Sequence, residues 1–268
     1  MRREGFRSIG LLIGLVLLSF IFVGATFAGA PKISAGDSHT LCIQADGSLW
    51  GWGWNRYGQL GDGTTTDKTS PVQIGTEKTW VAIVASNIHS LGLKADGTLW
   101  GWGGNFDGQL GDGTYKSESS PTQVGMDNTW VGIAAGYNHS LAKKSDGSLW
   151  VWGSNEFGQL GDGTNNPANS PVQIPGNSWR SIGSGYRHNL GIRSDGTLWA
   201  WGRNNMGQLG LGDGDIVDRN SPVQVGSDTK WVAIDGGAAH SLGLQSDGTL
   251  WAWGWNIVGE VGDGTYTE

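Results

Sequence analysis

SLGLKADGTLWGWGGNFDGQL, residues 90–110, is one of five copies of the same passage in this chain. The others are TLCIQADGSLWGWGWNRYGQL (40–60), SLAKKSDGSLWVWGSNEFGQL (140–160), NLGIRSDGTLWAWGRNNMGQL (189–209) and SLGLQSDGTLWAWGWNIVGEV (241–261). A histidine precedes each copy, and His39, His89, His139, His188 and His240, spaced by 50, 50, 49 and 52 residues, are all the histidines of the chain. A fixed period near fifty is the signature of a repeat architecture.

Each copy reads as short strands. In the second, residues 80–84 and 90–94 are the first two, and Ala95-Asp96-Gly97-Thr98 is a tight turn, because Asp-Gly between apolar stretches accepts the positive φ of a hairpin. Residues 99–103 form the third strand, with Trp100 and Trp102 on one face and Leu99 and Gly101 on the other. A long connection containing Gly-Gln-Leu-Gly-Asp-Gly leads to a fourth strand, expected at 121–124 and entered through Ser-Pro. A strand opening on proline gives up a backbone donor and belongs at a sheet edge. Four short antiparallel strands per unit, in tandem, describe the blades of an all-β propeller.

The pattern Gly-x-x-His-(Ser/Thr/Asn)-Leu, then Asp-Gly-x-Leu-Trp-x-Trp-Gly-x-Asn-x-x-Gly-Gln-Leu-Gly, resembles the repeat of the regulator of chromosome condensation family, and its exported bacterial members in particular. The resemblance covers residues 33–268 as repeats 33–82, 83–132, 133–181, 182–233 and a partial 234–268. It implies a β-propeller, commonly of seven blades, in which the repeat histidines and glycines serve structure. In the first three repeats the Asp of Gly-Asp-Gly precedes the strand proline by nine residues, and a proline so spaced from Asp263 falls beyond Glu268. The expectation is therefore a truncated propeller, with an open arc or another closure as alternatives.

Residues 1–28 differ in kind. Arg2, Arg3 and Arg7 precede an apolar run at 9–23 and the small-residue segment GATFAGA, the three parts of a secretory signal peptide. An uncleaved membrane anchor is the competing reading, and the run is short for a span of ~20 residues. Either places residues 29–268 outside the cytoplasm: secreted, periplasmic or on the cell surface.

The chain has 48 glycines, 16 tryptophans and 15% charged residues, with a net charge of −7. That balance argues against a nucleic-acid partner, whose phosphates need clustered Lys and Arg. Cys42, the one cysteine, occupies a slot filled elsewhere by Gly92, Ala142, Gly191 and Gly243, so it reads as a small hydrophobe. One histidine per repeat is spread around a ring rather than gathered on an ion, and each imidazole is expected to bond neighbouring backbone. The acidic stretch Asp213, Asp215 and Asp218 lacks the spacing and closing Glu of an EF-hand loop. No catalytic group, metal site or cofactor is expected.

Binding is expected where the copies differ, in the loops around the repeat Asn and before each His. The candidates are Trp54, Arg56, Tyr57, Phe106, Tyr137, Phe157, Tyr186, Arg187, Arg203 and Trp255. Trp, Tyr and Arg are common interface anchors, so a protein partner is the leading expectation. Aromatic faces that stack on sugars make a lectin the alternative. Nucleotide exchange, the activity of the family's namesake, fits less well, because the near-constant repeat length leaves no room for an inserted wedge.

Overall fold

The computed structural model describes residues 32–212 and 214–267; the N-terminal signal or anchor at 1–28 lies outside them, as do Asp213 and Glu268. The described residues form five antiparallel sheets. The first is β1 (Lys32–Ala35), β2 (His39–Ile43), β3 (Leu49–Gly53) and β4 (Lys68–Ile74). The second is β5 (Trp80–Ala85), β6 (His89–Lys94), β7 (Leu99–Gly103) and β8 (Glu118–Gln123). The third is β9 (Trp130–Ala135), β10 (His139–Lys144), β11 (Leu149–Gly153) and β12 (Ala168–Gln173). The fourth is β13 (Trp179–Ser184), β14 (His188–Arg193), β15 (Leu198–Gly202) and β16 (Arg219–Gln224). The fifth has three described strands, β17 (Trp231–Gly236), β18 (His240–Gln245) and β19 (Leu250–Gly254). Each sheet is a simple meander in chain order, the blade of a β-propeller.

The fourth strand differs from expectation in one respect. It starts before the proline, at Glu118 in the second blade, and pairs Glu118 with Gly103 and Thr122 with Gly101 around a register shift. Pro121 sits at this irregularity, where its missing N–H costs no ladder bond. The strand is the sheet's outer edge, as proline requires.

The alternation Leu-Trp-x-Trp gives each blade two different faces, and these faces make the core. Leu91, Leu93, Leu99 and Val124 of the second blade pack on Trp130, Ile133, Ala142 and Trp152 of the third. The same leucine-to-tryptophan contact joins first to second, third to fourth and fourth to fifth. Leu99 and Leu198 are wholly buried, whereas Leu250, on the fifth blade's leucine face, is 51% exposed because no sheet covers it among the described residues.

The tryptophan face explains the small-residue slot. Trp179 on β13 meets Trp199 and Trp201 on β15 across the middle strand, at ring separations of 6.4 and 5.6 Å. A Cβ at Gly191 would lie 2.4 Å from the Trp179 ring. Where the slot holds Ala142, Trp130 keeps its contact with Trp150 at 6.1 Å. A cation covers several of these pairs: the Lys94 ammonium lies 3.6 Å from the Trp100 centroid and the Arg193 guanidinium 3.9 Å from that of Trp199.

Two polar bonds from the next blade meet on one atom at each blade junction. The backbone carbonyl of Gln59, in the β3–β4 loop, accepts from Trp102 Nε1 at 3.0 Å and Ser90 Oγ at 2.8 Å, both in the second blade. Gln109, Gln159 and Gln208 repeat this with Trp152 and Ser140, Trp201 and Asn189, and Trp253 and Ser241. Four of the five histidines complete the network, with a partner that corrects the sequence expectation: each of the four bonds a side chain of the next blade. His39 Nε2 meets Ser90 Oγ at 2.8 Å, His89 meets Ser140 at 3.0 Å, His139 meets Asn189 Oδ1 at 2.8 Å and His188 meets Ser241 at 2.8 Å. Each serine gives its one proton to the Gln carbonyl, and Asn189 Oδ1 accepts only, so Nε2 must donate in all four. That assignment rests on the network and fixes the Nε2–H tautomer.

Burial holds His39 and His139 down to about 4 and His89 and His188 down to about 3, against an ordinary value of 6.5; for His89 and His188 neighbouring histidines add to the effect. An unfolded chain protonates these rings as pH falls below 6.5 while the folded chain does not. Their contribution to stability is therefore whole above that pH and is lost progressively towards 4 and 3. The melting temperature is expected to start falling near 6.5, with uptake on unfolding, at about pH 5, close to one proton per buried histidine. Calorimetry across buffers checks this, and a flat profile down to the carboxylate range contradicts it. In the slot, Gly191→Val is expected to cost ~1–3 kcal/mol through overpacking, and Cys42→Ala little, as read by denaturant unfolding.

Candidate functional site: a loop face with paired arginines

The meander puts the first–second and third–fourth strand connections of each four-stranded blade at one end of the sheets. Trp54 N bonding Ser38 O at 2.8 Å ties the two together in the first blade, and Arg203 N to Arg187 O at 2.8 Å does so in the fourth. Both variable loop sets thus share one face.

The long loop is shaped from within by the repeat asparagine. Asn155 is buried; its Oδ1 accepts from Leu160 N at 2.9 Å, and its Nδ2 donates to Thr164 O at 3.1 Å and Asn166 O at 2.9 Å. Asn55 and Asn105 do the same in their blades. The carboxylate of Asp162 takes Thr164 N and Oγ1, both at 2.9 Å, in a local turn. With its backbone satisfied internally, the loop holds its tip residues outward: Arg56-Tyr57, Phe106-Asp107, Glu156-Phe157 and Asn205-Met206.

The structure gathers the sequence candidates into two groups. Trp54, Tyr57 and Phe106 form an edge-to-face chain with centroids 5.4 and 5.3 Å apart, ending in Phe106 at 60% exposure. Arg56 is exposed and joins neither group by a ring contact among the described residues. The second group lies on the third to fifth blades. Arg187 and Arg203 stand over the Phe157 ring, with guanidinium carbons 4.8 and 4.6 Å from its centroid. Tyr137 and Tyr186 pack at 5.1 Å, and the Tyr186 hydroxyl donates to Asp37 Oδ2 at 3.2 Å, linking the fourth blade's loop to the first's. Burial, and after it the Asp37 carboxylate, pushes the Tyr186 phenol above its ordinary value.

A cavity of about 450 Å³ opens here, walled by Tyr137, Tyr186, Arg187, Arg203, Met206 and Trp255, among others. Asn205 and Met206, in the variable loop after the repeat Asn, also wall it, and Met206 occupies the position of Tyr57 and Phe157 in the other repeats. Ala238 and Ala239, the variable pair before His240, complete the wall, and their small side chains leave the cavity open beside Trp255. Among the described residues, no group of His, Cys, Asp and Glu is arranged to hold a metal ion.

Blades of this order, riveted through a loop carbonyl and presenting variable loops on one face, define a β-propeller of RCC1-type repeats. Residues 22–268 match the RCC1-like domain, and the chain belongs to that family. Short stretches are similar to curated proteins. The chain is 51% identical over 43 residues to the ultraviolet-B receptor UVR8 of Arabidopsis thaliana (16% of this chain, 10% of that one). It is 42% identical over 45 residues to human RCC1 domain-containing protein 1 (17% and 12%). Among solved structures, human WBSCR16 is similar at a TM-score of 0.79 and 26% identity, covering 88% of this chain and 64% of that one. Yeast RCC1 (Prp20), solved bound to Kap60, is similar at 0.74 and 26%, covering 83% and 55%. The chain therefore spans less than two thirds of the length of each.

Asn155→Ala is expected to remove the loop's internal partners and cost ~1–3 kcal/mol, since it strands buried backbone groups. Hydrogen exchange should rise across residues 156–166 while β10 stays protected. Unchanged exchange in that loop contradicts the assignment.

Proposed function

We propose that this chain is a non-catalytic binding propeller that holds a protein partner on the loop face bearing Tyr137, Tyr186, Arg187, Arg203 and Trp255, and that it works outside the cytoplasm. The observation that carries the reading is the convergence of these five side chains, from three blades, on one cavity. Aromatic residues and arginine supply large contact area at low entropic cost and dominate interface energetics. Recurring polar residues, by contrast, are engaged in holding the fold: His39 on Ser90, Asn155 on its loop, Asp162 on Thr164. Yeast RCC1 (Prp20), at 26% identity, is solved in complex with a protein, which supports the same use of this fold. The arginines and apolar run at residues 2–23 support export.

The test is site-specific photocrosslinking in the native host. A crosslinker at exposed Asn205 is expected to trap one discrete protein species, and one at Met126, 97% exposed on the opposite face, is expected to trap none. Identical patterns from both positions, or none from Asn205, would overturn the reading. Fractionation of the host should place the chain with extracytoplasmic markers.

A further inference from the structure

The cavity brings two arginines together on an acidic molecule. The chain carries 24 acidic against 17 basic residues. Lys68, Lys78, Lys94, Lys116 and Lys144 each pair with a carboxylate, as does Arg219, while Lys32 and Lys143 donate to backbone carbonyls. Arg187 and Arg203 do not form such a pair with any carboxylate among the described residues; both lean on Phe157. Asp37, in the first blade's loop, is engaged by the Tyr186 hydroxyl.

Two like charges brought to one ring without a counter-charge repel each other, and an anion placed between them relieves that repulsion. Guanidinium groups suit a carboxylate, which each can meet through two parallel N–H donors. The half-buried ring beneath them also reduces what binding must cost, because the planar groups are already positioned. Around them Trp255, Met206, Tyr137 and Tyr186 supply apolar and aromatic wall, beside the polar Asn205 and Gln208. A cavity of about 450 Å³ takes side chains of a loop, not a duplex.

Resting on the protein-binding reading above, we infer that the cavity receives an acidic segment of the partner. An Asp or Glu carboxylate lies on Arg187 and Arg203, and a neighbouring apolar side chain packs on Trp255 and Met206. A polyphosphate chain suits the site less, since a protein of net charge −7 repels a long polyanion while a single acidic loop meets the local arginines.

The experiment uses the full chain and fluorescence anisotropy with a labelled synthetic peptide of alternating glutamate and leucine. A peptide with glutamine in place of glutamate and an oligothymidylate serve as comparisons. The glutamate peptide is expected to bind, to weaken at least about tenfold in Arg187→Gln/Arg203→Gln, and to weaken in about 0.5 M salt, where exposed charges are screened. The glutamine peptide is expected not to bind. Equal binding of the glutamine peptide, indifference to the double substitution, or equal binding of the oligothymidylate overturns the inference. The salt titration on the unsubstituted chain probes the same charge dependence without relying on the variant's folding, and salt-independent binding there overturns the inference as well. Persistence of the Asn205 crosslink in the double variant would sink acid recognition while leaving partner binding intact; absence of that crosslink in the unsubstituted chain would sink partner binding itself.

Discussion

At each join between blades one loop carbonyl oxygen gathers two polar bonds from the next blade. The backbone oxygen of Gln59 receives a tryptophan N–H and a serine O–H from the next blade, and that serine accepts the proton of the preceding histidine. Because the donors and acceptor belong to different sheets, none of these bonds forms within an isolated repeat. Water is excluded from the site, with Ser90, Trp102 and His89 wholly buried, so a missing partner leaves a polar group stranded at full desolvation cost. The leucine face of one blade and the tryptophan face of the next supply the apolar area, while the carbonyl sets their register. Burial keeps the histidine neutral.

A loop that serves as the rivet on its inner side is free to vary on its outer side. The Gln carbonyl and the asparagine beneath the tip hold the loop backbone in each blade whatever residues follow the asparagine. Tyr57, Asp107, Phe157 and Met206 therefore occupy equivalent places with different chemistry. This division of labour puts a cationic, aromatic cavity on an acidic protein without disturbing its core.

Much of the architecture was legible in sequence. The period of the histidines, the Asp-Gly turns and the Leu-Trp-x-Trp alternation each state a local physical rule, and the blade strands appear within a few residues of where those rules place them. Two local details were not legible. The fourth strand begins before its proline because the bulge absorbs the missing donor, and a bulge leaves no mark on composition. Four of the five histidines bond the next blade, fifty residues or so along the chain, and not nearby backbone, because the partner is brought close only when sheets stack.

The candidate loop residues were likewise readable as a class, since they are the places where near-identical repeats diverge. Their grouping was not. Trp54, Tyr57 and Phe106 pack together, while Phe157 becomes a seat for two arginines, one following it by thirty residues and the other on a separate loop of the next blade. Sequence by itself determined the repeat, the two-faced strands and the variable positions, because these follow from turn chemistry and side-chain alternation acting over a few residues. Tertiary structure alone decided which variable residues meet, because blade stacking sets the distances between loops that the chain keeps far apart.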